Sequence, residues 1–191
     1  DLDNYVYEFG DRYGNRPTLI ADIQAQQIAV GDMYWLLIDM QNNVYAFGAN
    51  NFGQLGLGNN QSVNQPTQIP NLKAQKVAAG GAHSLIIDLQ GQVYASGENT
   101  LGQLGLGHNQ PVNTPTLIPN IYAIDISAGA LYSMILTPDY DLYTFGSNEY
   151  GSLGLAQVTE DQSVNVPTQV PNIKVIKISA GDNSAYIIDD Q

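Results

Sequence analysis

The sequence contains no cysteine, which excludes disulfide bonds, thiolate nucleophiles and cysteine-ligated metals. Basic side chains are scarce: six Lys and Arg stand against eighteen Asp and Glu, for a formal net charge of −12. Proteins bind nucleic acid by neutralising phosphates with Lys and Arg, so this balance argues against such a partner. A basic protein is the partner that an acidic surface attracts. Apolar runs of membrane-spanning length are missing, and so is a recognisable signal peptide. Charge of either sign is thin: 13% of residues are charged while 43% are hydrophobic. The solvated surface must therefore consist largely of Asn, Gln, Ser and Thr around an ordinary core, the composition of a folded rather than a disordered chain. The first residue is Asp1, not Met, which reads as a processed product or a piece of a longer chain.

What the sequence has in quantity is repetition. Residues 44–92 align with residues 93–141 without a gap, at 25 identical positions of 49. Residues 142–191 repeat the pattern with a longer middle, and residues 1–43 repeat it with the middle shortened. Self-similarity at this period marks an architecture of stacked modules. Within residues 44–92 the apolar runs are short and bounded by turn formers: 44–47, 66–69, 76–79 and 84–89. Tyr, Val, Ile and Thr dominate them and helical periodicity is absent, so each unit reads as four short strands. Four antiparallel strands per unit of about 49 residues match one blade of a β-propeller.

Strand order follows from composition. Small residues and glycine in "VAAGG" (77–81), "ISAGA" (126–130) and "ISAGD" (178–182) suit the crowded strand nearest the axis, strand A. The "PTQIP" and "PTLIP" runs carry proline at both ends, and proline lacks the N–H a ladder needs, so these are the outermost strand D. The chain order is then C, D, A, B in each unit. The A–B tips and the long C–D loops share one face, while B–C turns and a D–A turn at 71–76 lie on the other. "NNFGQLGLGNN" (50–60) is thus a C–D loop rather than a phosphate cradle, because it lacks the Lys-Ser/Thr of such loops and precedes no helix. Glycines at Gly31, Gly48, Gly53, Gly56, Gly80, Gly97, Gly102, Gly105, Gly129, Gly146, Gly151, Gly154 and Gly181 punctuate the units, and those in the C–D loops are expected at positive φ.

The pattern of Gly80, Gly81, His83, Ser84, Gly91, Val93, Tyr94, Gly97, Asn99, Gly102, Gln103, Leu104, Gly105 and Gly107 resembles the repeat of the regulator of chromosome condensation family. The resemblance implies an all-β propeller, usually of seven blades, of which these four units (about 1–43, 44–92, 93–141 and 142–191) form a part. It also brings guanine-nucleotide exchange on a small GTPase as an activity known in the family. The wedge-like insertion and basic tail that accompany it there have no counterpart in this sequence. Photoreceptors of the same fold need a tryptophan cluster, whereas Trp35 stands alone here.

No catalytic set can be assembled. His83 and His108 fall in different kinds of loop, and with no cysteine they do not make a metal site. Asp39, Asp88 and Asp189 recur before the B–C turn, where a lone carboxylate caps the turn better than it holds calcium. Binding is expected where the repeats differ, because a scaffold keeps structural positions uniform. Those positions are Asp32, Met33, Tyr34 and Trp35 in the first A–B tip, His83 in the second, Leu131 and Tyr132 in the third, and Asp182 and Asn183 in the fourth. The long fourth C–D loop adds Glu160 and Asp161, and Arg12 and Arg16 flank the shortened first one. The expected function is a non-catalytic scaffold, needing no cofactor, that holds a protein partner on one propeller face. The alternatives are GTPase nucleotide exchange and a structural, self-associating assembly component.

Overall fold

The computed structural model describes residues 3–10, 14–159 and 162–189. Among them every regular element is a β-strand: β1 (Tyr5–Gly10), β2 (Gly14–Val30), β3 (Tyr34–Asp39), β4 (Asn43–Gly48), β5 (Val63–Ala79), β6 (His83–Asp88), β7 (Gln92–Gly97), β8 (Val112–Tyr122), β9 (Asp125–Ala128), β10 (Tyr132–Leu136), β11 (Leu142–Ser147), β12 (Ser163–Gln169), β13 (Val175–Ala180) and β14 (Ala185–Asp189). All strand pairs are antiparallel and follow chain order. One blade comprises the second half of β2 with β3, β4 and the start of β5. The next takes the rest of β5 with β6, β7 and β8, and a third consists of β9 to β12. At the ends, β1 and the start of β2 form a C–D half-blade, and β13 with β14 forms an A–B half-blade.

The D–A turn expected at 71–76 is instead continuous strand. β5 pairs with β4 as far as Lys73 and with β6 from Ala74 onward. Asn71, at φ +57°, bends the backbone there, as Asn120 and Asn172 do at φ +60° and +61°. Asparagine tolerates this left-handed conformation, so one residue turns the chain into the next blade without a separate loop. The proline-bounded segments sit on the outer edge as their chemistry requires: within its blade Pro66–Ile69 pairs only with β4.

The core lies between blades. Alternate residues of each B strand point to opposite neighbours. Leu36 and Ile38 pack forward with Val44, Leu55, Ile69 and Val77, whereas Leu37 packs backward with Val6 and Phe47. The next seam repeats the scheme with Leu85, Ile87, Val93, Leu104, Ile118 and Ile135. Each fully buried aliphatic side chain contributes about 1.5–3 kcal/mol, so the seams carry most of the stability of the stack.

Candidate functional site on the loop face

Each C–D loop is built around a buried asparagine. Asn99 Oδ1 accepts from the Leu104 amide at 3.0 Å, while its Nδ2 donates to the carbonyls of His108 at 2.7 Å and Gln110 at 3.0 Å. Asn50 makes the same three bonds to Leu55, Asn59 and Gln61, and Asn148 makes them to Leu153, Val158 and Thr159. The expected positive-φ glycines complete the loop; Gly97, at φ +113°, could carry no Cβ because Ala82 O would stand 2.4 Å away. Braced in this way, the loop carbonyls reach the neighbouring A–B tip. Ser84 Oγ donates to Gln54 O at 2.7 Å and Ser133 Oγ to Gln103 O at 2.8 Å. The tips and C–D loops therefore share a face, as the strand order requires.

Three of the expected contact residues belong to the scaffold instead. Tyr34, His83 and Tyr132 are at most 1% exposed, each turned into the seam with the next blade. The Tyr34 hydroxyl donates to His83 O, and the Tyr132 hydroxyl donates to Ser184 O at 2.8 Å. Each ring rests against a glycine of its own tip, Gly31 or Gly129, where any Cβ would overlap it. Burial raises the pKa of Tyr34, and it pushes Tyr132 up to about 12 with help from the Asp182 charge. His83 Nε2 lies 2.9 Å from Ser133 Oγ, whose proton is already committed to Gln103 O, so the imidazole donates from Nε2. Nδ1 is buried without a partner, and burial lowers the pKa to about 4. His108 binds locally in its own loop, where its carbonyl accepts from Asn99.

The remaining candidates divide. Asp32, Asp182 and Asn183 are exposed, Met33 is 70% exposed, and Trp35 and Leu131 are partly buried. Glu160, Asp161 and Arg12 lie outside the described residues. Asp39 and Asp88 cap their turns: Asp88 Oδ1 accepts from the Gln90 and Gln92 amides at 2.9 and 2.8 Å. Asp39 does the same for Gln41 and Asn43, both at 2.8 Å.

One location brings several candidates together. Trp35 occupies the place that Ser84 and Ser133 hold in their blades, each of them one residue after the buried Tyr or His. Its ring stacks on Phe47 with centroids 5.0 Å apart and planes at 9°. The first unit lacks the "QLGLG" loop that would cover this position, and a cavity of about 500 Å³ opens there. Its lining includes Trp35, Asp32, Met33, Glu8 and Asn64. Glu8 Oε2 is buried and has no hydrogen-bond partner. Sequence reasoning passed over Glu8, although the signal was present: the corresponding residues Ala46, Ala95 and Thr144 are all uncharged. Anionic, aromatic and recessed, the site suits a positively charged group with a flat or apolar stem.

The repeat model described as regulator of chromosome condensation (RCC1) repeat matches residues 41–87, 90–136 and 141–188. The chain belongs to this family. A second RCC1 repeat model matches residues 74–103. No curated protein sequence matches, but solved structures do. Yeast RCC1 (Prp20), crystallised with Kap60 bound, superposes with a TM-score of 0.81 at 22% identity, over 92% of this chain and 44% of that one. Human WBSCR16 gives a TM-score of 0.81 at 23% identity, over 98% of this chain and 52% of that one. The ectodomain of the Arabidopsis thaliana receptor kinase ACR4 is more distant, with a TM-score of 0.56 at 18% identity, over 93% of this chain and 49% of that one. This RCC1-repeat chain thus shares their fold and spans about half of their length.

Proposed function

We propose that this chain is a non-catalytic interaction module that holds a protein partner on its loop face by admitting a basic side chain, Arg or Lys, into the Trp35 cavity. The observation that supports the reading most is the Glu8 carboxylate, whose Oε2 is buried and unpartnered beside an aromatic ring. A buried anionic oxygen without a donor is costly, and an entering guanidinium or ammonium relieves that cost. Trp35 supplies the π face for the cation, and Met33 supplies apolar area at the rim. The net charge of −12 speeds the approach of a basic partner. Binding of protein partners is in keeping with the structural relatives, one of which was crystallised with Kap60 and another studied for binding to Gsp1p and histones.

Trp35 is the only tryptophan, so its fluorescence reports on this cavity alone. Titration with N-acetyl-arginine amide should give a saturable change in emission that weakens with salt. The isosteric citrulline compound should give none, and Glu8→Gln should abolish the arginine response. Equal responses to both compounds would remove the charge argument.

Family membership supports a second reading, guanine-nucleotide exchange on a small GTPase. Faster release of labelled GDP from a GTPase panel in the presence of this chain would favour it, and unchanged release would leave the binding-module reading in front.

A further inference from the structure

The two ends of the stack are unlike the interior seams, and they are unlike in complementary ways. At the C-terminal end, β14 has a strand on one side only, β13. Tyr186 and Ile188 are 69% and 54% exposed, although their counterparts Leu36, Leu85, Met134, Ile38 and Ile87 are fully buried. What is missing there is a C–D hairpin. At the N-terminal end, β1 and the start of β2 are a C–D hairpin with no A–B pair, and Phe9 is 69% exposed where Phe47 and Phe145 are buried.

The last C–D loop shows the imprint of the absent hairpin. In the earlier loops Gly53 and Gly102 pack against the backbones of Asn113 and Asn165, each belonging to the next D strand. The equivalent Gly151 has nothing within 4 Å. Gly105 is covered by the Phe145 ring, while its equivalent Gly154 meets only Val170. A cavity of about 310 Å³ results, lined by Met134, Thr144, Leu153, Asn183 and Ile187 among others. The sequence that would fill it is already in the chain. "VYEFG" (6–10) corresponds to "VYAFG", and "NRPT" (15–18) to the "NQPT", "NTPT" and "NVPT" of the other D strands.

We infer that the A–B half-blade β13–β14 receives the β1–β2 hairpin of a second copy, and that two copies of the 191-residue chain close a ring by this exchange at both junctions. The interior pairs fix the register. Trp35, Ser84 and Ser133 pair with Phe47, Ser96 and Phe145, so Ala185 pairs with Phe9. By the same offset Ile188 pairs with Val6. A second copy is the occupant because the chain superposes on 52% of human WBSCR16 with little change of curvature, so one copy traces about half of such a ring and its end hairpins face apart. A two-fold exchange satisfies both open edges at once and leaves neither free to pair indefinitely.

The absence of cysteine makes the test direct. The Phe9→Cys and Ala185→Cys chains, mixed and oxidised, should give a disulfide-linked pair of twice the single-chain mass, and neither should do so alone. The unmodified chain should have the doubled mass in light scattering, with a melting temperature that rises with concentration. Tyr186→Lys together with Ile188→Lys alters residues exposed in a single copy. It should preserve the far-ultraviolet dichroism of the β fold while weakening association at least about tenfold. Three results would overturn the inference: a monomer at every concentration, no cross-link in the mixture, or a Phe9→Cys/Ala185→Cys double variant that closes within one chain.

Discussion

The seam next to Trp35 and the seam next to Ser84 are the same place in successive repeats, built in two ways. Around Ser84 a full C–D loop is braced by Asn50, its Gln54 carbonyl takes the serine proton, and no space is left over. Around Trp35 that loop is shortened, an indole replaces the hydroxyl, and a cavity remains. The repeat thus separates its two tasks. Positions that close hydrogen bonds between neighbouring blades stay uniform, and a recognition site can open only where that closure is given up. An anionic oxygen left buried without a donor marks this departure as more than loose packing.

The comparison can be broken hardest at the loop brace. Asn99→Ala removes three hydrogen bonds and leaves the Leu104 amide buried without an acceptor. Unsatisfied buried groups cost about 1–3 kcal/mol each, so urea denaturation should show a loss of about 4 kcal/mol. The exposed Asn59→Ala should change little. Next in size is a pH effect confined to one seam. His83 has its pKa lowered from 6.5 to about 4, so the folded state binds fewer protons than the unfolded state between those values. Stability contributed by neutral His83 is then complete above pH 6.5 and is lost as pH falls towards 4, by about 3 kcal/mol in all. His83→Tyr installs the side chain of Tyr34 and Tyr132, whose hydroxyls do not titrate in this range. It should flatten that part of the stability–pH curve.

Much of this architecture was legible because glycine, proline and asparagine state backbone requirements directly. The proline-bounded runs declared an outer strand, and fixed glycine offsets declared a repeated loop. Tyr34, His83 and Tyr132 were misplaced on the binding surface because variation among repeats was taken as a sign of freedom to bind. In fact Tyr and His serve one structural end here, a large ring over a tip glycine with a polar atom reaching into the next blade. The D–A junction was read as a turn because Pro-Asn is turn chemistry, but a single left-handed asparagine bends a strand that keeps its ladder. Glu8 was overlooked because its importance depends on a neighbour across the blade, and strand pairing cannot be weighed one residue at a time.

The smallest expected effect sharpens the comparison most. Trp35→Ser restores the residue of the other seams without restoring the loop that gives the serine its acceptor. If the indole is chiefly structural filler, the loss is that of a partly buried aromatic and its stack on Phe47. That is about 2 kcal/mol, below the 3–5 kcal/mol of a fully buried ring because part of the indole already faces solvent. A cation site makes a second demand on the same variant. Arginine-amide affinity, read by calorimetry because the fluorophore is gone, should fall more than in Met33→Ser, which trims only the rim. A variant that loses stability but keeps arginine binding would show that Glu8 and Asp32 alone hold the cation. The indole would then be the substitute for a missing loop rather than part of a recognition site.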